Sequence, residues 1–389
     1  MEIIEVRHEI ETEHNGKHSD LILTNANVVT RSECFIGTVK VVGGLIADIS
    51  HGVSSAAGSV DMEGDYLLPG IIDVHTDHFE KQIMPRAGMT WNSLGATVAH
   101  DVQICAAGIT TVFDSLIVGA VGDPERRRLL PLMLEGLDEA REHGLLRAEH
   151  LLHLRCDLRE PDLLEQFLRY ADRPELRFVT VMDDSASRDV ERFRYRERRK
   201  NVLESEIEAQ IEAAPMSAHI MVDNRVQIVT HCREANVPFA SHDDTTAEHI
   251  AEAAAFGARI SEFPITMESA TAARAAGMAI IAGGPNLVAG RSHVNNVSVR
   301  ELARNKLIDI ICSDYIPGSL LRAIWHLTGE NEGLSIPEAV SLGTWRPAEA
   351  FGLRDRGEIA LGKRADLIRV ADWSGPVVRE AWVHGERRL

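Results

Sequence analysis

The sequence predicts an α/β protein. It is a (β/α)8 barrel of the TIM type over residues 67–353, with a small β-sandwich domain assembled from both termini, residues 1–66 and 354–389. Three observations carry this expectation. Between Leu67 and Leu353 a short apolar run followed by a helical stretch recurs eight times. Each apolar run is unpunctuated, as a strand buried on both faces should be. Both ends of the chain instead carry short β-branched runs between glycine turns. No G-x-G-x-x-G follows the first barrel run, which disfavours a dinucleotide-binding fold.

In chain order, the first twenty residues form a charged lead-in without an apolar signal core, so export is not expected. DLILTNANVVT from Asp20 and CFIGTVKVVGGLIADIS from Cys34 read as strands, with a turn at Gly43-Gly44. Val60–Gly64 is a further turn. The eight barrel strands are expected at Ile71–His75, Thr110–Asp114, Leu151–Cys156, Phe178–Met182, Val237–Ser241, Arg259–Phe263, Ala279–Ala282 and Ile308–Ser313. Arg126–His143 is an amphipathic helix stopped by Gly144. Thr245, Ser298 and Ser335 each have a Glu three residues later, the spacing of a capping box. From Gly357 the short strands and glycine turns return.

With 389 residues, 44% of them hydrophobic, the chain can bury a large core. No run approaches the ~20 apolar residues of a membrane span. The five cysteines are scattered and never form C-x-x-C, which suits a reducing cytoplasm and provides no thiolate zinc site. A formal net charge of −18 opposes nucleic-acid binding.

Barrel chemistry is expected just beyond the strands. The first strand ends in His75-Thr76-Asp77-His78, and alternation places His75 and Asp77 on one side, a pairing suited to a metal. Later strand ends supply Asp114, then Arg155 with Asp157, Asp183 with Asp184, His242 with Asp243 and Asp244, Glu262, and Asp314 with Tyr315. Any one carboxylate could be a helix cap, Asp243 and Asp244 above all. Polar residues at nearly every strand end are harder to obtain by chance. His, Asp and Glu without thiolates suit Zn²⁺, Mn²⁺ or Fe²⁺, one ion or two, which generates a hydroxide at neutral pH. Asp314, after the last strand, is placed to accept the proton of that water.

Several blocks then resemble one family. LPGIIDVH and the Asp after strand eight are similar to the amidohydrolase superfamily. HTDHFEKQIMPR at 75–86, GITTVFDS at 108–115, RAEHLLHLRCDL at 147–158, ASHDDTTAEHIAE at 240–252, EFPITMESA at 262–270, GGPNLVAGRSHVNNVS at 283–298 and CSDYIPGSLL at 312–321 resemble, more narrowly, the M-component family of the carbon–phosphorus lyase pathway. The resemblance implies phosphoanhydride hydrolysis, of ribose 1-methylphosphonate 5-triphosphate to the 5-phosphate and pyrophosphate. Two positions depart from that family. His78 stands where it has Asn, and Met182-Asp183-Asp184-Ser185 stands where it has Met-Asp-His and then Pro-Gly-Gln.

The candidate metal ligands are therefore His75, Asp77, His242 and Asp314, with Asp183 (or Asp184) and Glu262 behind them; zinc is the first choice of ion. Asp314 and His242 are the catalytic candidates. Lys81, Arg86, Arg155 and Arg291 are the candidate phosphate contacts, with Asn286, His293 and Tyr315 completing the substrate set. The expected partner is a phosphorylated sugar, with no nucleic acid and no membrane, and self-association into a homodimer fits barrels of this type. The arginine-rich stretch Arg188–Lys200 reads either as a lid over polyphosphate or, more plainly, as a solvated helix face with i,i+3 and i,i+4 ion pairs. His143, His150, His153, His219, His249 and His326 read as packing or surface residues. The rival function is hydrolysis of a cyclic amide or N-acyl group, which needs no triphosphate-sized cationic site. A non-catalytic ligand-binding scaffold is the other class.

Overall fold

Eight parallel strands arranged in sequence order make the centre of the protein: β6 (Ile71–Thr76), β7 (Ile109–Val118), β8 (Glu149–Asp157), β9 (Leu176–Met182), β10 (Phe239–His242), β11 (Ile260–Glu262), β12 (Ala279–Gly283) and β13 (Ile310–Cys312). Before them come β1 (Leu21–Val29), β2 (Cys34–Val42), β3 (Leu45–His51), β4 (Val60–Asp61) and β5 (Tyr66–Pro69). After them come β14 (Leu367–Asp372), β15 (Pro376–Val383) and β16 (Glu386–Arg387). The computed structural model describes residues 20–292, 296–328 and 333–389.

All eight expected barrel strands are present. β7 runs past Asp114 to Val118 because Leu116-Ile117-Val118 continue the apolar run, and all ten of its residues are buried. The ring joins where Thr76 pairs with Asp314: the Asp314 N–H donates to the His75 carbonyl at 2.9 Å, and the Asp77 N–H to the Asp314 carbonyl at 3.1 Å. Inside the barrel Phe113, Leu151, Phe178, Ala240, Ile260, Ile281 and Ile310, one from each of seven strands, pack with Ile72, Ala348 and Phe351 into an apolar floor. A filled floor leaves only the upper end of the barrel open for chemistry.

The two ends of the chain meet in one sheet of order β16-β15-β14-β5-β1-β2-β3, with β4 beside β1. The join is the antiparallel pair β5 and β14, where Leu68 faces Ile368. Leu23, Val28, Val39, Ile46, Leu67 and Trp382 give this sheet its own core.

The helices correct three expectations. Arg126–His143 is divided at Arg128 into Pro124–Arg127 and Leu129–Glu142, since Pro124 is accepted only in the first turn of a helix and starts one of its own. The next helix end is as expected, with Gly144 at φ +62 after the cap at His143. Thr246, not Thr245, caps the helix Ala247–Ala255, because the Thr245 hydroxyl donates to Asp189 at 3.0 Å. Ser298 precedes the helix Val299–Arg304 without a side-chain cap; the Asn286 side-chain oxygen accepts the Val299 N–H instead, at 3.1 Å. Ser335 and Glu338 do form the reciprocal capping box. Among the described residues no helix is long and apolar enough to cross a membrane.

Candidate metal centre

Two residues above the apolar floor, the same side of five of the strands turns polar. Phe113 is followed by Ser115, Leu151 by His153, Phe178 by Thr180, Ala240 by His242, and Ile260 by Glu262. A strand repeats its facing every second residue, so the floor and the site are successive layers of one interior. His75 enters this layer from β6 where the β6–β7 register is interrupted between Asp73 and Thr76.

His75, His153 and Glu262 are buried, and one donor atom from each lies within 4.8 Å of the others. His75 Nδ1 is 2.7 Å from Glu262 Oε1. The Thr180 hydroxyl donates to Glu262 Oε2 at 2.9 Å. His153 is engaged at both nitrogens, Nε2 with Thr180 at 2.7 Å and Nδ1 with Ser115 at 2.9 Å. Burial drives both imidazoles well below their ordinary pKa, and Arg155 adds to this at His75. Both rings are therefore neutral. With Nδ1–H given to Glu262, His75 keeps its Nε2 lone pair, 3.5 Å from the Arg155 guanidinium.

Around this group stand Asp77, His242 and Asp314. The rings of His75 and His242 are 6.4 Å apart, and Phe263 lies against both. Burial would raise the Asp77 pKa, but Arg155, with His75 and Arg126, brings it below the usual carboxylate range. Asp314 is pushed up to about 7, by desolvation first and by Asp77 second. Asp243, Phe263 and Asp314 each follow a strand end with φ of +56, +57 and +54, a left-handed backbone that costs a non-glycine residue ~1–2 kcal/mol. Each is held there by donating its N–H across to the neighbouring strand, to Glu262, Ile281 and His75 respectively. Such strain clusters at functional sites.

The donor set fits a divalent cation. Asp77 Oδ1 and His242 Nδ1 are buried without a hydrogen-bond partner, and Asp314 is a carboxylate whose charge the pocket does not compensate. The ligands are nitrogen and oxygen only, so a borderline or hard ion suits them. Glu262, expected as a secondary ligand, is central. Asp183 is not part of the group: its carboxylate accepts from Arg225 at 2.9 Å and from Ser185 at 2.6 Å. Asp184 is paired with Arg196.

A second buried group lies in the barrel wall. One Asp114 oxygen is 2.8 Å from His100 Nε2 and the other 2.8 Å from His150 Nδ1. Asp101 is 3.4 Å from His150 Nε2 and 3.0 Å from Arg147. Asp114 is held low, against burial, by both imidazoles, and His150 is pushed up to about 9, against burial, by Asp114 and Asp101. Two carboxylates thus face His150 and Arg147, both cationic, and the charges balance. None of its side chains is among the orphaned polar atoms. His78 belongs here rather than to the metal group: Nδ1 is 3.2 Å from His100 and Nε2 3.3 Å from Gln82.

At the first group opens a cavity of about 240 Å³, lined by His75, Arg155, His242 and Asp314 and also by Arg192 and Arg196. Asn286 and Tyr315, both expected substrate contacts, also line it. Arg86 and Arg291 are exposed and lie outside its lining, and Lys81 is spent on Tyr315, its Nζ 3.3 Å from that carbonyl. His293 falls outside the described residues.

Comparison with known proteins places these features in context. A model of the amidohydrolase family matches residues 66–388. The alpha-D-ribose 1-methylphosphonate 5-triphosphate diphosphatase of Escherichia coli (strain K12) is 36% identical over 376 residues, covering 94% of this chain and 100% of that protein. An adenine deaminase of Nitratidesulfovibrio vulgaris (strain DP4) is 26% identical over 375 residues, covering 94% of this chain and 57% of its own length. Among solved structures, dihydropyrimidinase from Brevibacillus agri superposes with a TM-score of 0.65 at 13% identity, covering 95% of each chain. N-acetylglucosamine-6-phosphate deacetylase from Pasteurella multocida does so at 0.63 and 14%, covering 95% of this chain and 99% of its own. At that identity these two share the fold.

Proposed function

Since the chain belongs to the amidohydrolase family, we propose that it is a metal-dependent hydrolase acting on a phosphoanhydride, ribose 1-methylphosphonate 5-triphosphate, releasing the 5-phosphate and pyrophosphate. The observation that carries this reading is the meeting of two unlike groups in the lining of one cavity: His75, His242 and Asp314, and the arginines Arg155, Arg192 and Arg196. A cyclic amide would need the first group and have no use for the second. The 36% identity to the Escherichia coli diphosphatase supports the same choice.

In this reading His75, Asp77, His242 and Asp314 hold the ion, with Glu262 as a further ligand or as the carboxylate that orients His75. The bound ion supplies Lewis acidity and lowers the pKa of water toward ~7. The chain does the rest. Asp314 takes the proton as the water oxygen bonds to phosphorus. The bond to the bridging oxygen breaks, and its electron pair leaves on pyrophosphate. Arg155, 3.8 Å from Asp77, stands beside the growing negative charge. His153 and Thr180 keep Glu262 fixed.

The test is to incubate metal-loaded protein with a ribose 5-triphosphate ester and, separately, with a cyclic amide and an N-acyl sugar. Stoichiometric pyrophosphate from the first and no amine from the others is the expected outcome. Amine release without pyrophosphate would overturn the proposal.

A further inference from the structure

We propose that the helix Val190–Arg199 carries the subsite for the diphosphate tail of the substrate, with Arg192 and Arg196 as its cationic contacts; this rests on the phosphoanhydride reading above.

The helix has two different faces. Phe193 and Glu197, four residues apart, are buried and fix its rotation about its axis. On the outer side Arg194 pairs with Glu191 at 2.7 Å and Arg198 with Glu204 at 2.6 Å, the ion pairs of an ordinary solvated face. Arg192 and Arg196, also one turn apart, line the cavity together with His75 and Asp314. Arg192 and Arg196 are ion-paired as well, with Asp243 and Asp184, but these two pairs lie at the cavity of the reactive group and not on the solvated face.

Their present contacts look like bracing rather than neutralisation alone. Arg192 gives Nη1 to Asn296 at 2.8 Å and Nη2 to Asp243 at 2.9 Å, and its Nε is buried without a hydrogen-bond partner. Arg196 is held by the carboxylate and carbonyl of Asp184. Guanidinium planes fixed at two points are pre-organised for phosphate oxygens. Arg155 adds a third cation, its side chain only 8% exposed, with Nε and Nη2 lacking hydrogen-bond partners. Asn286, Ser292 and Asn296 line the same cavity and offer neutral polar groups. In a chain of net charge −18, a polyanion needs such a local concentration of positive charge. Arg86 and Arg291, outside the lining, do not provide it.

The assignment orders the substrate. The attacked phosphorus lies between Asp314 and Arg155, and the phosphates beyond it extend under Arg192 and Arg196. A monophosphate of the same sugar would leave the arginine helix untouched.

Inorganic pyrophosphate is the probe, titrated calorimetrically into metal-free full-length protein so that chelation plays no part. The wild type is expected to bind pyrophosphate at least tenfold more tightly than orthophosphate. Arg192→Gln and Arg196→Gln should each lose about tenfold for pyrophosphate and little for orthophosphate, and Arg196→Lys should recover part of the loss. With metal restored, KM for the triphosphate ester should rise more than kcat falls. Pyrophosphate affinity unchanged in both glutamine variants would overturn the subsite. If pyrophosphate binds through these arginines but no phosphoanhydride is hydrolysed, the subsite stands and the proposed reaction fails.

Discussion

His75 Nδ1 and Glu262 Oε1 are 2.7 Å apart and join the first barrel strand to the sixth, 187 residues later in the chain. This contact fixes the tautomer of His75 and leaves Asp77 and Asp314 as the carboxylates with unmet demands. A dication bound there would stabilise the folded chain by mass action, ~2.7 kcal/mol at a hundredfold excess over Kd. For a chain of 389 residues each kcal/mol is worth about 1 °C. Stripping with a chelator should therefore lower Tm by roughly 3 °C, and zinc or manganese should restore it. A melting curve indifferent to chelator and metal would contradict a metal at this site.

Asp314→Asn separates chemistry from folding. The change removes a carboxyl whose charge burial disfavours, keeps its volume, and places Asn at φ +54, a backbone region where Asn is well tolerated. In the metal-free protein Tm should be equal to or above that of the wild type, while in the metal-loaded protein kcat should fall by ~10²–10⁴, the range lost with a general base. Near-normal turnover would remove Asp314 from the proposed role.

The wall cluster predicts a pH signature. His150 holds its proton up to about 9 in the folded chain, against ~6.5 in an unfolded one. The stability it contributes is complete below ~6.5 and is lost as pH rises through about 9. His150→Asn should accordingly melt below the wild type at pH ~6, with the gap narrowing toward pH ~9.5. A gap that stays constant over that range would show that His150 is not the proton-carrying member.

Gly136→Ala sets two effects against each other. In an exposed helix interior the change gains ~1 kcal/mol from propensity. Here the added methyl would meet the Thr97 hydroxyl and come within 2.5 Å of the Ser93 carbonyl oxygen, where the helix Leu129–Glu142 crosses Ser93–Ala106. Overpacking costs ~1–3 kcal/mol and should win. Urea denaturation is expected to show a lower midpoint for the variant; a higher one would mean the crossing relaxes freely.

The barrel was legible because strands covered on both faces leave uninterrupted apolar runs, and the strand-end positions His75, Asp77, His242, Glu262 and Asp314 followed from them. His153 reads as a packing residue and does pack, against Phe178, while its place two residues before Arg155 also turns it to the interior beside Glu262. His100 left no such trace, because its partners Asp114 and His150 come from two other elements. The arginines divide: Arg155 lines the cavity, and Arg86 and Arg291 do not. Residue type alone favoured Arg86 and Arg291, and only the rotation of a helix, set by Phe193 and Glu197, selects Arg192 and Arg196 for the cavity. His78, which departs from the family pattern, starts the helix His78–Ile83 and turns toward His100.

Closure of the ring at Thr76 and Asp314 has a consequence in time. These residues are 238 positions apart; the Thr76 hydroxyl donates to the Asp314 carbonyl, and the backbones of His75 and Asp77 on either side bond to that of Asp314, beside the proposed ion site. A ribosome must release nearly the whole barrel before Asp314 can reach His75. Until then the nascent chain has histidines and carboxylates but no assembled centre, so neither the proposed metal site nor the proposed hydrolysis is available to it. The first appearance of activity during synthesis would therefore mark the moment at which the eighth strand docks beside the first.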